Sequence, residues 1–218
     1  MEEFVIHGVP GSPFVRAVLL DLEEKGLSWR LQPLGPGESR SPEHLARHPF
    51  GRIPVVDHGD FRLYETQAVL RHVERLHPEP SLAPADPRRA ARMDQLMGVN
   101  DWYLMAHVGV PIMFPRVVAP RIGFAADASG VADALPRAKV CIDEVARLHG
   151  GQPFLTGETL SLADLMIAPQ LSLLVECEEG RGLMAPHPAL GAWLDRMEAR
   201  PSMIATTWER LLELAKAA

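Results

Sequence analysis

The sequence predicts two successive regions of different class: an α/β domain over residues 1–77 and an all-helical domain over residues 88–218. Three observations carry this prediction. Up to His77, short alternating apolar runs typical of strands are interleaved with helical periodicity. Residues 78–87 hold prolines at 78, 80, 84 and 87 and no periodicity, which indicates a linker. Beyond the linker only helical patterns follow.

Composition places the chain among ordinary globular proteins and excludes several classes. Hydrophobic residues make up 47% and charged residues 23%, and the net charge of −6 argues against a nucleic-acid surface. The first residues lack the basic and apolar parts of a secretory signal. No uninterrupted apolar run reaches the ~18 residues of a membrane span, the longest candidate being 162–175. We therefore expect a cytoplasmic protein without a membrane or nucleic-acid partner.

Cysteine and histidine spacing predicts no metal site. Cys141 and Cys177 lie in helical patterns without a CxxC pair, and the nine histidines include no HExxH pair. Both cysteines are expected to be buried thiols.

The chain begins with a predicted strand, a tight turn and a helix. Residues 4–9 alternate weakly, and Pro10-Gly11-Ser12-Pro13 precedes apolar positions at helical spacing that end at Gly26. Ser12 falls at the N-cap, with proline at the first helical position. A second strand is predicted over 29–33, then a polar loop over 35–40 and a short helix over 42–46.

A hairpin follows, with a proline in its first strand. The run 53–56 contains Pro54, the turn is 57–60, and the second run is 61–64. A proline there lies at a strand start, an edge or a bend, and it leaves neighbouring backbone groups open to pair with a ligand.

The next helix begins directly after the hairpin, at Glu65 and Thr66. Thr66 is predicted to be the N-cap, and the free amides and dipole of the helix start suit a carboxylate. Glu65 suits an ammonium group. The two together fit the zwitterionic end of an amino acid or peptide, although an ordinary helix cap also explains them.

The segments G-R-I-P-V-V and L-Y-E-T-Q-A-V-L resemble the glutathione-binding half of the glutathione S-transferase superfamily. The resemblance implies a thioredoxin-like first domain and glutathione as co-substrate, with no metal. It implies a cis peptide bond before Pro54, backbone pairing of Val55 with the cysteinyl part, and a γ-glutamyl group held by Glu65 and Thr66.

Further contacts are expected around the same bend. Arg52 is a partner for the glycyl carboxylate, Ile53 precedes the cis bond, and Arg40 and His44 are candidate contacts to the bound peptide. His48 stands where the family pattern has asparagine, which leaves the contribution of that position open.

Ser12 is the predicted catalytic residue. The run G-x-x-x-S-P-F-V-R-A-V-L-L is similar to the serine version of the loop that faces the glutathione sulfur in this family. A hydroxyl that donates to a thiolate, together with a helix N-terminus, favours the charged form. No cysteine stands at this position, which argues against mixed-disulfide chemistry. Arg16 either reinforces this anion site or pairs with a surface acid.

The second half reads as a series of helices. The segment from Pro87 meets a glycine at 98 and at 109 and a proline at 111, 115 and 120, so we expect it to break into at least two helices. Another helix is predicted over 131–149. Ser161 and Asp164 form a predicted capping box that opens a buried helix, and the last two helices are expected over 188–197 and 201–214.

The resemblance also implies an apolar electrophile pocket between the domains. Its candidate residues are Val9, Pro10, Trp102, Tyr103, His107 and Phe114. A methionine and aromatic stripe at helical spacing is more often part of a core than of a pocket.

The sequence therefore predicts a glutathione transferase that conjugates the glutathione thiolate to an apolar electrophile, in a homodimer implied by the family. Two alternatives stay open. The same site would serve a peroxidase, dehalogenase or isomerase, and a non-catalytic binding module would share the fold.

Overall fold

The computed structural model describes residues 2–35 and 37–217, which fall into two compact units. One unit contains the described residues up to Ser81 together with residues 200–217. The other unit is Leu82–Ala199. The sequence assigns 200–218 to the helical domain, whereas in the structure 200–217 packs with the first unit.

The first unit is an α/β layer structure built in the predicted order. Its elements are β1 (Phe4–Gly8), α1 (Pro13–Glu24), β2 (Trp29–Pro33), a 3₁₀ turn (Glu38–Arg40), α2 (Pro42–Arg47), β3 (Val55–His58), β4 (Phe61–Tyr64) and α3 (Thr66–Leu76). Both predicted strands of the hairpin are present, and the Ile53–Pro54 peptide bond is cis. The fold class predicted from the sequence is confirmed.

The sheet has the strand order β2-β1-β3-β4. Strands β1 and β2 are parallel, and β1–β3 and β3–β4 are antiparallel. Phe4 and Ile6 of β1 point into one core with α1 and α3, to which Val18 and Val69 contribute. Leu211, from the far end of the chain, completes this core.

A polar cluster ties three of the four strands together. Asp57 of β3 accepts two hydrogen bonds from Arg62 of β4, at 2.6 and 2.9 Å, and one from His7 of β1 at 2.9 Å. The bond from Arg62 and the one from His7 hold the pKa of Asp57 below its ordinary value, although burial opposes them. Burial lowers the pKa of His7.

The second unit is helical, and its longest element is one unbroken helix from Pro87 to Arg121. It runs as α4 (Pro87–Val99), a π-type segment (Asn100–Val118) and α5 (Ala119–Arg121). The predicted break is wrong. The wider π-type turns run through Pro111 and Pro115, whose missing N–H groups the altered hydrogen-bond ladder tolerates.

That long helix is long enough to cross a membrane, and an 18-residue stretch of it has a mean hydropathy of 1.2, which is apolar enough to do so. Leu104, Val108 and Ile112 on it are buried within the unit, and the core helix of a protein that never enters a membrane can be equally long and apolar.

The unit has four further helices. They are α6 (Val131–His149), α7 (Leu162–Leu174), α8 (Glu178–Met184) and α9 (Pro188–Glu198), and α7 is almost entirely buried. The predicted final helix over 201–214 is divided into α10 (Pro201–Ala205) and α11 (Trp208–Ala217). The division follows from Thr206, which ends α10, while Thr207 Oγ1 accepts from the Arg210 amide in the first turn of α11.

The capping box at the start of α7 is confirmed. Asp164 is fully buried and accepts from Ser161 N at 2.8 Å, Ser161 Oγ at 2.6 Å, Leu155 N at 2.8 Å and Trp193 Nε1 at 2.8 Å. Burial raises the pKa of Asp164, and these four donors oppose the shift. Asp164 therefore joins a helix start, a loop and α9.

Replacing Asp164 with alanine is expected to lower the free energy of unfolding by about 3–5 kcal/mol, because buried donors lose their acceptor. Urea denaturation measures this loss. Glu158→Ala, at an exposed carboxylate in the same loop, is the control and should change stability by less than about 0.5 kcal/mol. Equal stability of the two variants would contradict the structural role of Asp164.

Candidate functional site

Strand register brings three predicted site segments to one edge of the sheet. His7, next to the end of β1, pairs with Val55, which opens β3, and Val55 pairs with Tyr64, which ends β4. The loop before Ser12, the bend before Val55 and the start of α3 at Glu65 therefore all leave the sheet at the same end. This edge, defined by Ser12, Val55 and Glu65, is called the strand-end site below.

Two helices begin at the strand-end site. Ser12 is the N-cap of α1, its Oγ accepts from Val15 N at 3.4 Å, and its own amide donates to Val9 O at 3.1 Å. The first turns of α1 and α3, both fully described, contain no acidic residue. The positive end of α1 therefore has no acid in its first turn and favours an anion, while the start of α3 combines free amides with the Glu65 carboxylate at its N-cap.

Ser12 keeps a hydroxyl proton that it can donate. Its side chain is partly exposed, and its oxygen accepts from a backbone amide. A serine hydroxyl that accepts such a bond still has its own proton to donate. The predicted N-cap role is confirmed. The free hydroxyl proton is compatible with the predicted catalytic role.

The start of α3 differs from the sequence prediction. Glu65, and not Thr66, is the N-cap residue, and Thr66 is the first helical residue. Glu65 has φ +70° and ψ 110°, a backbone conformation that residues other than glycine rarely adopt. Its carboxylate is exposed, while Thr66 is buried. The strained backbone therefore presents an acid to solvent beside the free amides of α3.

The bend before β3 carries the cationic part of the site. Arg52 and Arg40 are exposed, Ile53 is half-buried and Pro54 is buried. A Cβ on Gly51 would meet Arg40 Cδ at 3.1 Å, so Arg40 lies against the turn that leads to Arg52. An exposed acid and two exposed arginines in one unit suit a ligand with one ammonium and two carboxylate groups.

His44 supports this bend from the interior of the unit. Its side chain is completely buried, and its Nε2 bonds to the carbonyl oxygen of Arg52 at 2.7 Å. This bond fixes the backbone position of Arg52. His44 would therefore affect a ligand through Arg52. Sequence spacing gave no signal for this bond.

His48 packs instead of pointing to solvent. It is buried, its ring stacks on Tyr64 at 4.3 Å between centroids, and it meets Phe50 edge-on at 6.0 Å. Burial lowers the pKa of His48, which the charge of Glu65 opposes. The residue that replaces the family's asparagine thus supports Tyr64, directly before Glu65.

Arg16 makes two hydrogen bonds that the sequence did not predict. Its Nη2 donates to Met203 O at 2.8 Å, and its Nε donates to Thr206 Oγ1 at 3.3 Å. Both partners are far away in sequence, which is why local patterns did not reveal them.

The predicted electrophile residues lie in different environments. On the long helix, Trp102 is 77%, Tyr103 55% and Phe114 43% exposed, and His107 is half-buried. In the first unit, Val9 is half-buried and Pro10 is buried. The three aromatic residues do not belong to a core, so their apolar surface is available to a ligand or a partner.

Metal chemistry finds no support in the described part of the chain. Among residues 2–35 and 37–217, no group of three or more histidine, cysteine, aspartate or glutamate side chains is placed to hold an ion.

Comparison with known proteins gives consistent results over the whole chain. Residues 6–81 match the family model "Glutathione S-transferase, N-terminal domain", and residues 128–196 match "Glutathione S-transferase, C-terminal domain". Glutathione S-transferase 4 of Zea mays is 32% identical over 199 residues, which cover 90% of this chain and 88% of that protein.

Solved structures agree with the sequence matches. Poplar glutathione transferase F1 is 25% identical with a TM-score of 0.82 and covers 100% of both chains. Glutathione S-transferase I from maize, in complex with an atrazine glutathione conjugate, is 26% identical with a TM-score of 0.78 and covers 99% of both chains.

In a helix interior alanine is more stable than glycine, and the backbone strain at Glu65 predicts the opposite order at position 65. Glu65→Gly should be more stable than Glu65→Ala by about 1 kcal/mol, because only glycine adopts this backbone without cost. Urea denaturation measures both variants. At exposed Gln95 inside α4, the same pair should show alanine more stable by about 1 kcal/mol. Alanine ahead of glycine at both positions would contradict the strain.

Proposed function

The chain belongs to the glutathione S-transferase family, and we propose that it conjugates the thiolate of glutathione to an apolar electrophile at the strand-end site. The observation that carries this proposal is the register that brings Ser12, Val55 and Glu65 to one sheet edge beside two helix N-termini. The family match and the conjugate bound to the maize relative support conjugation as the reaction.

The charged ends of glutathione match the charges of the site. Glu65 would hold the γ-glutamyl ammonium group, and the amides at the start of α3, beginning at Thr66, would hold the adjacent carboxylate. Arg52 would pair with the glycyl carboxylate, with Arg40 beside it. The backbone of Val55, after Ile53 and Pro54, would pair with the cysteinyl part.

Ser12 would stabilise the thiolate. Its hydroxyl donates to the sulfur, and the dipole of α1 acts in the same direction, so the thiol loses its proton to solvent more readily. Lowering a thiol pKa of ~8.5 by about two units corresponds to ~2.7 kcal/mol, which one charge-assisted hydrogen bond and a helix end can supply. The thiolate then attacks the electrophilic carbon and forms the carbon–sulfur bond, and with an aryl halide the carbon–halogen bond breaks and halide leaves with its electron pair.

The second substrate would be apolar. Trp102, Tyr103 and Phe114 offer exposed aromatic surface on the long helix, with His107 among them, and Val9 and Pro10 precede Ser12 in the other unit. Apolar side chains bind an apolar electrophile by desolvation, and a bound electrophile reacts faster because it is already near the thiolate.

A cytoplasmic homodimer is the assembly we propose, by analogy with the family. Phe50 and Phe61 of the first unit are 65% and 49% exposed, and exposed aromatic side chains are enriched at protein interfaces. Sedimentation equilibrium should give twice the chain mass, and a single-chain mass at micromolar concentration would contradict the dimer.

Replacing Ser12 with alanine is expected to abolish most conjugation while glutathione binding is retained. At a pH near the lowered thiol pKa, a two-unit rise reduces the thiolate fraction about 50-fold, and kcat/KM should fall by a similar factor. The measurements are initial rates with an aryl halide and retention on immobilised glutathione.

The matched control is Asp86→Ala, which removes another N-cap before a proline, at the start of α4. It should cost about the same cap energy, ~1 kcal/mol, and leave turnover unchanged. Unchanged turnover in Ser12→Ala would remove Ser12 from the mechanism.

A further inference from the structure

The C-terminal segment, residues 200–217, is bound along α1 at three points. The first is at the far end of α1, where Arg200 donates to both carboxylate oxygens of Glu24, at 2.8 and 2.6 Å, and Ser202 Oγ donates to the same carboxylate at 2.5 Å. Burial alone would raise the pKa of Glu24, but these bonds hold it below its ordinary value. The ion pair is therefore an anchor of the segment.

The second point lies in the first turn of α1. Arg16 donates to Met203 O and to Thr206 Oγ1, and Thr206 is itself buried with its hydroxyl on Ser202 O at 2.8 Å. The backbone amide of Arg16 donates to Ser12 O at 2.9 Å. The segment is thus connected to the residue that caps α1 through a single intervening residue.

The third point is the loop that carries Ser12. Trp208 is only 7% exposed, and its indole ring lies so close to Gly11 that a Cβ on Gly11 would overlap it. Gly11 has φ +87°, so the residue before Ser12 needs glycine both for its backbone and for the space. Leu211, one turn further along α11, is fully buried in the core that also contains Val15.

We propose that Trp208 is a positioning residue for Ser12: its ring forms the wall against which the loop before α1 rests, and it thereby aims the Ser12 hydroxyl at the glutathione sulfur. This inference rests on the proposed function, because the position of Ser12 matters only if its hydroxyl acts on the glutathione sulfur. Trp208 itself is assigned no contact with substrate. A glycine-containing loop without that wall gains conformational freedom. A hydrogen bond weakens steeply when its angle and distance change, and small displacements cost large factors in rate.

The test is a pH titration of glutathione bound to Trp208→Ala and to the milder Trp208→Phe, with the thiolate followed by its ultraviolet absorbance. We expect the pKa of the bound thiol to rise by about one unit in Trp208→Ala, so that kcat/KM falls about 10-fold below that pKa. The dissociation constant for glutathione should change less than about threefold. Trp208→Phe should lie between Trp208→Ala and the unmodified enzyme.

The control within the same segment is Ile204→Ala, at a side chain that is 60% exposed, and it should leave the titration unchanged. Thermal unfolding of each variant identifies loss of fold. If Trp208→Ala does not fold, Trp208→Phe decides the question. An unchanged thiol pKa in a folded Trp208 variant, with or without weaker glutathione binding, would overturn the positioning role.

The same titration of Ser12→Ala distinguishes a failure of the role of Trp208 from a failure of the proposed function. If Ser12→Ala raises the thiol pKa and the Trp208 variants do not, the role of Trp208 is wrong and the function stands. If Ser12→Ala does not raise it, the proposed function of Ser12 is wrong, and the role of Trp208 is wrong with it.

Discussion

The pairing of β1 and β4 with the central strand β3 is the constraint on which the site depends. Because His7 lies opposite Val55 and Val55 opposite Tyr64, the end of β1, the start of β3 and the end of β4 coincide. A slip of one residue would turn every side chain of a strand to the other face of the sheet. The bonds of Asp57 to His7 and Arg62 join the same three strands and oppose such a slip.

Three buried residues hold the parts of the chain to which we assign ligand binding. His44 bonds to the carbonyl of Arg52, His48 stacks under Tyr64, and Trp208 packs on Gly11. Each lies next to a different part of the strand-end site. Conversely, Glu65 keeps an unfavourable backbone that places its carboxylate in solvent. The backbone strain therefore falls on an exposed residue, at the position where we propose that the γ-glutamyl ammonium group binds.

Local chemistry explains which features the sequence predicts. The Ser12 cap before a proline, the hairpin around Pro54 and the capping box of Asp164 each depend on neighbouring residues, and all three are present. Features set by distant contacts were missed. The π-type helix continues past Pro111 and Pro115, where local patterns predict a break, and residues 200–217 bind α1 through side chains nearly two hundred positions away. Thr66 was predicted as the cap from residue type alone, whereas the backbone of Glu65 takes that place.

A crystal structure of the enzyme soaked with glutathione tests the central claim most directly, because it shows the neighbour of the sulfur and the orientation of the tripeptide together. The account predicts the sulfur within hydrogen-bond reach of Ser12 Oγ, with the γ-glutamyl end at Glu65 and the glycyl end toward Arg52. A sulfur that faces another group, or a tripeptide bound away from the shared strand ends, would contradict it.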